Sequence, residues 1–380
     1  MFRQALLIQA KQLVKLQLNR ASYERVLGCR SRRGYMNSRM TTRRGFLFLL
    51  AGTMIAGCSR VPEGSDSAGG DLSAAAVKYS VQIPDLSGSL CAAPLWVAKQ
   101  RGYFEEEGVE VEEVSADVDT QKTGLNNGTF PVGMGDFSTF ESMESGVQTT
   151  VVDAVNLGCI KVVARSDDDS VSSAADLKGK TVAVNKIGGT PYQVLALWLQ
   201  REANLSIGTG DGDVKVSVYD DGNLELQALK DGTVDAAAVW DPYGPKAEKD
   251  GSAKVILDNS KSGDFSGRAC CFLVASNKVL QEDEGEIAAI IRAIHKADKW
   301  ISDNPEKTVE LVAKNKYATI DDEDLAVEMI KAYGYGELST GGHDVKGDVR
   351  YYADLLNGLG MIKSSPDDFV SKYYKSVSLD

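Results

Sequence analysis

Residues suited to binding a small anion lie in four loops that follow predicted strands. In an open α/β sheet, ligands collect outside the carboxyl ends of the strands, and a helix that begins there offers free backbone N–H groups to negative charge. These loops combine hydroxyls and glycines with two carboxylates and three aromatic rings. The candidate ligand-binding residues are Ser87, Gly88, Ser89, Asp136, Phe137, Ser138, Gly188, Gly189, Thr190, Trp240, Asp241 and Tyr243.

The strongest of these loops is KIGGTPYQ, which precedes a long predicted helix. Thr190 is the expected N-cap and Pro191 the expected first helical residue, and the glycines allow a ligand close to the backbone. No Gly-Lys-Ser/Thr follows, so the loop is not a phosphate-binding P-loop. The loop DLSGSLCAAP either donates to an anion or is an ordinary turn that caps a helix. Trp240 and Tyr243 either close over a ligand or form a packing cluster between two lobes of the fold.

The two candidate aspartates leave the charge of the ligand open. Asp136 and Asp241 would suit an amine, as in a zwitterion, or the N–H of a heteroaromatic ring. They equally suit helix caps or ion pairs with Arg268 or Lys186. The sequence therefore predicts a small anion or zwitterion without deciding between these roles.

The residue types needed for common enzymatic chemistry are sparse. Only two histidines exist, His295 in an amphipathic predicted helix and His343 in a Gly-rich loop, and no Gly-x-Ser-x-Gly motif is present. Cys91, Cys159 and the adjacent Cys270-Cys271 form no Cys-x-x-Cys pair, which gives no metal-ligand spacing. We expect buried free thiols, with a disulfide among these cysteines as the alternative. We also expect no metal, no cofactor and no enzymatic activity.

Export signals occupy the first part of the chain. The apolar run 46–56 is too short to span a bilayer but has the length of a secretory core, and it follows Arg43-Arg44. Thr-Arg-Arg-Gly-Phe-Leu resembles a twin-arginine export signal. Ile-Ala-Gly-Cys resembles a bacterial lipobox, which predicts lipidation of Cys58. We expect residues 1–57 to be a signal segment with translation starting at Met36 or Met40.

The charge of the remaining chain excludes some partners. Residues 1–57 hold 11 of the 42 basic residues but one of the 54 acidic residues, which leaves a net charge of −22 on residues 58–380. Nucleic acid binding relies on clustered Lys and Arg, so we expect no nucleic acid partner. Residues 58–76 are rich in Ser, Gly and Ala and are interpreted as the lipidated cysteine and a flexible tether.

From Val77 onward, strand and helix patterns alternate, which predicts parallel α/β sheets. Predicted strands include IKVVAR, KTVAVN, VDAAAVW and CCFLVAS, and the chain after Glu284 reads as helices only. In this frame, APLWVAKQRGYFEEEGVEVE, ADLKGKTVAVNKIGGTPYQ and ALKDGTVDAAAVWDPYGPKAEKDG resemble the substrate-binding proteins of ABC importers. The resemblance is to those for nitrate, sulfonate, taurine and bicarbonate, a group shared with binders of thiamine pyrimidine precursors.

This resemblance implies a type II periplasmic-binding-protein-like fold with a hinge and a helical C-terminus. Lobe one would comprise residues 77–166 plus 267–380, and lobe two residues 167–266. It further implies a monomer that is lipid-anchored outside the cytoplasm and delivers a small molecule to a permease with a cytoplasmic ATPase. One alternative is a binder of a pyrimidine or another small heteroaromatic. Another is a pyrimidine-precursor synthase, since RACCFLV partly matches the cysteine motif of such enzymes.

Overall fold

The computed structural model describes residues 76–85, 88–339 and 342–380. The predicted signal segment, Cys58 and almost all of the tether lie outside these residues, as does Ser87. Within the described part of the chain, no helix combines the length and apolar character that a membrane span requires.

Eleven strands build three sheets within the described ranges. The strands are β1 Tyr79–Asp85, β2 Val109–Ser115, β3 Val132–Asp136, β4 Thr149–Leu157, β5 Ile160–Arg165, β6 Thr181–Val184, β7 Ile207–Gly208, β8 Val214–Val218, β9 Ala236–Trp240, β10 Ala253–Asp258 and β11 Ala269–Ser276. The helices are α1 Ala93–Gln100, α2 Tyr103–Glu106, α3 Val118–Asn127, α4 Thr139–Glu144, α5 Thr190–Ala203, α6 Gly222–Lys230, α7 Tyr243–Lys249, α8 Asn277–Glu282, α9 Glu284–Asp303, α10 Pro305–Lys314, α11 Glu323–Ala332, α12 Tyr335–Ser339, α13 Val345–Gly358 and α14 Pro366–Tyr373.

The sheets are not uniformly parallel, so the prediction of parallel sheets was wrong in part. β1 and β2 pair in parallel. β11 lies between β3 and β4 and is antiparallel to both. The six-stranded sheet has the order β10-β5-β9-β6-β8-β7, parallel from β9 to β7 and antiparallel at β10 and β5. Side-chain patterns identify strands but do not encode the direction of a strand that pairs far along the chain.

Two connections join the three-stranded sheet to the six-stranded one. The chain passes from β4 to β5 through Gly158 and Cys159 and returns through residues 259–268. Asn259 links the two passages, because its Oδ1 accepts a hydrogen bond from the Ile160 N–H at 2.9 Å. β5, which the predicted boundary places in lobe one, pairs within the six-stranded sheet. Sheet membership therefore changes at residues 158–159 rather than at residue 166.

Helices account for most of the chain after Glu284, as predicted. α9 shows why: its apolar residues recur on one face, and Ile287, Ile290, Ile294 and Ile301 are all buried. The Asp283 side chain accepts a hydrogen bond from the Gly285 N–H at 2.9 Å and so caps its start. Two of these helices, α12 and α14, contact β4 of the three-stranded sheet. Phe369 of α14 stacks on Phe140 of α4 with ring centroids 4.7 Å apart.

Candidate functional site

A cavity of about 450 Å³ lies where the ends of β3, β6 and β9 meet the start of α5. Half of the twelve predicted ligand residues line it: Asp136, Ser138, Gly188, Gly189, Thr190 and Trp240. They come together because each follows or ends a strand on this side of the molecule. The structure adds Asn185, Lys186 and Lys122 to the lining. Lys186 was predicted only as an ion-pair partner for an aspartate, and Asn185 and Lys122 were not predicted. Asn185 is the last residue of the predicted strand KTVAVN and Lys186 follows it, so their position at a strand end was the available signal.

The start of α5 presents backbone donors to this cavity. Gly188 has φ of +74°, a left-handed conformation that glycine adopts without strain, and it turns the chain into the helix. The N-cap is Gly189, not Thr190 as predicted, because Gly189 is extended at φ −75° and ψ 167° while Thr190 is already helical. The first backbone N–H groups of α5 have no carbonyl one turn earlier, so the cavity receives a positive helix end.

Two buried polar atoms at this end of the cavity have no hydrogen-bond partner among the described residues. They are Thr190 Oγ1 and Asn185 Oδ1. Thr190 Oγ1 makes no hydrogen bond of ordinary geometry, although it lies near enough to the Asp136 carboxyl to oppose the rise in the pKa of that group. Thr190 is 1% exposed, so solvent does not reach its side chain freely. Buried polar atoms are normally satisfied, and those left unsatisfied in a native fold need an explanation. A ligand that hydrogen-bonds in the cavity supplies one.

Asp136 places a carboxyl group in the same cavity. Its Oδ1 accepts a hydrogen bond from the Ser138 N–H at 2.8 Å, and its backbone oxygen accepts one from Thr139 Oγ1 at 2.6 Å. Burial is the main cause that raises the pKa of Asp136. The cavity lining also carries Lys122 and Lys186. The site therefore holds groups of both charge signs, as recognition of a zwitterion would need.

The second predicted aspartate lies in different surroundings. Asp241 and Gly88 line a separate cavity of about 60 Å³. Asp241 Oδ1 is 3.6 Å from the Nζ of buried Lys161, and burial raises the pKa of Asp241 to about 7. Of the two predicted partners for the aspartates, Arg268 instead pairs with Asp348 at 3.1 Å. Asp241 thus lines this small cavity and another of about 360 Å³, but not the 450 Å³ cavity. Its Oδ1 also has no hydrogen-bond partner among the described residues.

The remaining candidates have structural roles. Phe137 is fully buried and stacks on Tyr352 with ring centroids 4.2 Å apart. Tyr243 packs over Gly222 so closely that a Cβ there would lie 2.3 Å from its ring. Ser89 accepts a hydrogen bond from the Cys91 N–H at 3.4 Å and caps a short 3₁₀ helix, Leu90–Ala92.

Both histidines are paired with carboxylates away from this cavity. His295 Nε2 is 2.6 Å from Asp153 Oδ2, and His343 Nε2 is 2.6 Å from Asp348 Oδ2. A larger groove of about 790 Å³ lies among the C-terminal helices and is lined by His295 and Tyr335. None of the predicted ligand residues within the described ranges lines this groove.

Comparison with known proteins agrees with this architecture. The family model described as "NMT1/THI5 like" matches residues 91–308, more than half of the chain. A putative binding protein of Bacillus subtilis, YtlA, is 25% identical over 63% of this chain and 72% of its own length.

Solved structures share the fold. The periplasmic aliphatic sulphonate binding protein SsuA from Escherichia coli superposes with a TM-score of 0.63 at 18% identity, over 79% of this chain and 92% of that one. The desulfurization enzyme DSZB superposes with a TM-score of 0.57 at 15% identity, over 79% of this chain and 97% of that one. The predicted periplasmic-binding-protein-like fold is confirmed, and one fold serves both a binding protein and an enzyme.

Proposed function

Because the chain belongs to the NMT1/THI5-like family, we propose that it is an extracytoplasmic solute-binding protein of an ABC importer. Its ligand is a small organic or inorganic anion or zwitterion of the sulfonate, taurine or nitrate type. The sulfonate-binding relative with the same fold supports this class. A permease with a cytoplasmic ATPase receives the ligand, and the protein acts as a monomer without a cofactor.

The observation that carries the proposal is the group of buried polar atoms without hydrogen-bond partners that lies at the α5 end of the 450 Å³ cavity. The anionic group of the ligand lies at the start of α5, where it accepts hydrogen bonds from the backbone and from Thr190 Oγ1. Lys186 and Lys122 line the same cavity and carry positive charge. In a zwitterion such as taurine, the amine points toward Asp136. Charge-assisted hydrogen bonds of this kind are about twice as strong as neutral ones.

Ligand binding acts through two sets of residues, a lobe built on the β3-β11-β4 sheet and a lobe built on the six-stranded sheet, which includes β5. The cavity takes Asp136 from the first set and Thr190 and Trp240 from the second. A ligand that contacts both sets favours the closed arrangement by its differential affinity for the two states. The permease would recognise that closed arrangement.

The decisive experiment is thermal unfolding of the purified protein in the presence of nitrate, sulfate, taurine, alkanesulfonates, bicarbonate or pyrimidines. A ligand at a hundred times its Kd adds about 2.7 kcal/mol to the free energy of unfolding, which raises the melting temperature by several degrees. A shift with a sulfonate, taurine or nitrate supports the proposal. A flat response to every small anion and zwitterion contradicts it.

Export and anchoring form a separate part of the proposal. The twin-arginine-like signal directs export, and a lipid on Cys58 holds the protein at the outer face of the membrane. Cys58→Ser removes the thiol that carries the lipid, and it is expected to move the protein from the membrane fraction to the soluble fraction. Retention of the variant in washed membranes would show that another feature anchors the chain.

A pyrimidine or another heteroaromatic is the second candidate ligand, because Trp240 offers a stacking surface and Asp136 an acceptor for a ring N–H. The thermal panel distinguishes the two classes directly. A pyrimidine-precursor synthase is the third candidate and would share its fold with an enzyme, as DSZB does. It predicts turnover of a bound pyrimidine precursor, whereas a binding protein returns its ligand unchanged.

A further inference from the structure

Three cysteine side chains from distant parts of the chain meet in the interior. Cys91 lies in the 3₁₀ helix Leu90–Ala92, Cys159 in the first connection between the sheets, and Cys271 in β11. Their Sγ atoms lie within 4.8 Å of one another, and those of Cys159 and Cys271 are 4.0 Å apart. All three are free thiols and are at most 6% exposed. We call this set the thiol trio.

We propose that the thiol trio is a three-coordinate binding site for a soft monovalent cation of the Cu(I) class. A metal–sulfur distance of about 2.3 Å places the sulfurs of a planar three-coordinate site about 4.0 Å apart. The observed separations match this spacing after a small contraction. Thiolate ligands select soft cations, whereas hard cations prefer oxygen.

The surroundings favour three sulfurs over a mixed ligand set. Within the described ranges, the trio includes no carboxylate or imidazole. The two histidines of those ranges are held by Asp153 and Asp348. A disulfide between Cys159 and Cys271 would need the sulfurs to approach from 4.0 Å to about 2.0 Å. The geometry suits a bridging cation better than a direct bond.

Binding converts each coordinating thiol to a thiolate, and the released protons pass to the solvent. No electrons move, because the cation enters and stays in its reduced state. The bound cation would tie together the region after β1, the first connection between the sheets and β11. None of the three cysteines lines the 450 Å³ cavity. The site is therefore separate from the proposed ligand site, and its test does not depend on that proposal.

The neighbouring cysteine provides a matched control. Cys270 is also buried and lies next to Cys271 on β11, but it does not belong to the trio. Its sulfur lies 3.6 Å from Asn259 Nδ2 and also contacts the thiols of Cys159 and Cys271, but it is not within ligand distance of all three members of the trio. Replacing Cys270 by Ser changes the same atom in a comparable interior position without removing a proposed ligand.

The test titrates Cu(I) into the purified full chain under anaerobic conditions, in competition with a chromogenic Cu(I) chelator. We expect one cation per chain for the trio. Cys159→Ser and Cys271→Ser should each weaken this binding by at least about tenfold, because each removes one of three ligands, while Cys270→Ser stays within about threefold of the parent protein. Cys29 and Cys58 are present in every variant, so the differences isolate the trio.

Thermal unfolding with and without Cu(I) compares each variant with itself, so a variant that is merely less stable is distinguished from one that has lost the cation site. Cu(I) should raise the melting temperature of the parent protein and of Cys270→Ser, but not that of Cys159→Ser. If a serine variant fails to fold, Cys159→Ala replaces it. Equal Cu(I) affinity in the parent and in a variant lacking all three cysteines overturns the proposal. So does an equal loss in Cys270→Ser, or a Cys159–Cys271 disulfide in peptide maps of protein isolated without reductant.

Discussion

Replacing Thr190 by Val separates a ligand-binding hydroxyl from a structural one. In the free protein, Thr190 Oγ1 is buried and makes no hydrogen bond of ordinary geometry with the described residues, although it lies near the Asp136 carboxyl. A buried hydroxyl without a partner costs about 1–3 kcal/mol, and a methyl group of the same shape removes that cost. Val and Thr have similar helix propensities. The free energy of unfolding of the unliganded variant should therefore rise by about 1 kcal/mol or stay unchanged.

Ligand binding should change in the opposite direction. A hydrogen bond from a neutral donor to a charged group contributes about 1.5–3 kcal/mol, which corresponds to a loss of about 10- to 150-fold in affinity. Isothermal titration calorimetry with the best ligand of the thermal panel measures this loss. Urea unfolding of the unliganded proteins measures stability. The combination of weaker binding with equal or greater stability is the signature of a group reserved for the ligand.

Thr139→Val is the matched control. Thr139 lines the same cavity, but its Oγ1 donates to the backbone oxygen of Asp136 at 2.6 Å. Its replacement should lower the free energy of unfolding by about 1 kcal/mol. The reasoning fails if Thr190→Val destabilises the free protein as much as Thr139→Val does and leaves ligand affinity unchanged.

Three further predictions concern stability. Burial raises the pKa of Glu225 to about 8, above its ordinary value of 4.5, so the folded protein holds a proton that the unfolded chain has lost. Glu225 should thus lower the free energy of unfolding by about 1.4 kcal/mol for each pH unit between pH 5 and 8, in addition to the contribution of other buried carboxyls such as Asp241. Glu225→Gln should reduce the slope measured in urea titrations by that amount, and an unchanged slope would assign it to other groups. Gly124→Ala should destabilise by about 1–3 kcal/mol despite better helix propensity, because its Cβ would lie 2.2 Å from the Phe130 ring; a gain in melting temperature would show that the ring moves aside. Lys246→Ala should lower the free energy of unfolding by less than about 1 kcal/mol, because the ion pair of Lys246 with Asp321, 2.7 Å long, is exposed. The loss should be smaller still in high salt. A salt-independent loss above about 2 kcal/mol would contradict this.

Most strands and helices were predictable from the sequence, including β11, whose eight residues are all buried. β5 spans the residues of the predicted strand IKVVAR, and the helical C-terminus follows from amphipathic periodicity. β4 was missed, and burial alone does not account for this, because β5, β9 and β11 are buried to a similar extent and were predicted. The polar helix α3 was missed as well, since its Gly124 is required by contact with Phe130 and argues against a helix in the sequence.

Site residues at strand ends were predictable from the sequence. Whether a neighbouring side chain faces the cavity or the core was not, because that depends on packing. Gly189 and Thr190 line the cavity because they follow β6 and begin α5. Phe137 directly follows Asp136, yet its ring turns into the core against Tyr352. The prediction of buried free thiols was confirmed. Their clustering was not foreseen, because linear spacing does not reveal that residues 91, 159 and 271 meet.

A crystal structure of the protein with the best ligand of the thermal panel tests the central claim most directly. The account predicts density for the ligand in the 450 Å³ cavity, with an anionic oxygen within hydrogen-bond distance of Thr190 Oγ1 and of the first backbone N–H groups of α5. Ligand bound instead in the groove beside His295, or in the small cavity beside Asp241, would contradict it.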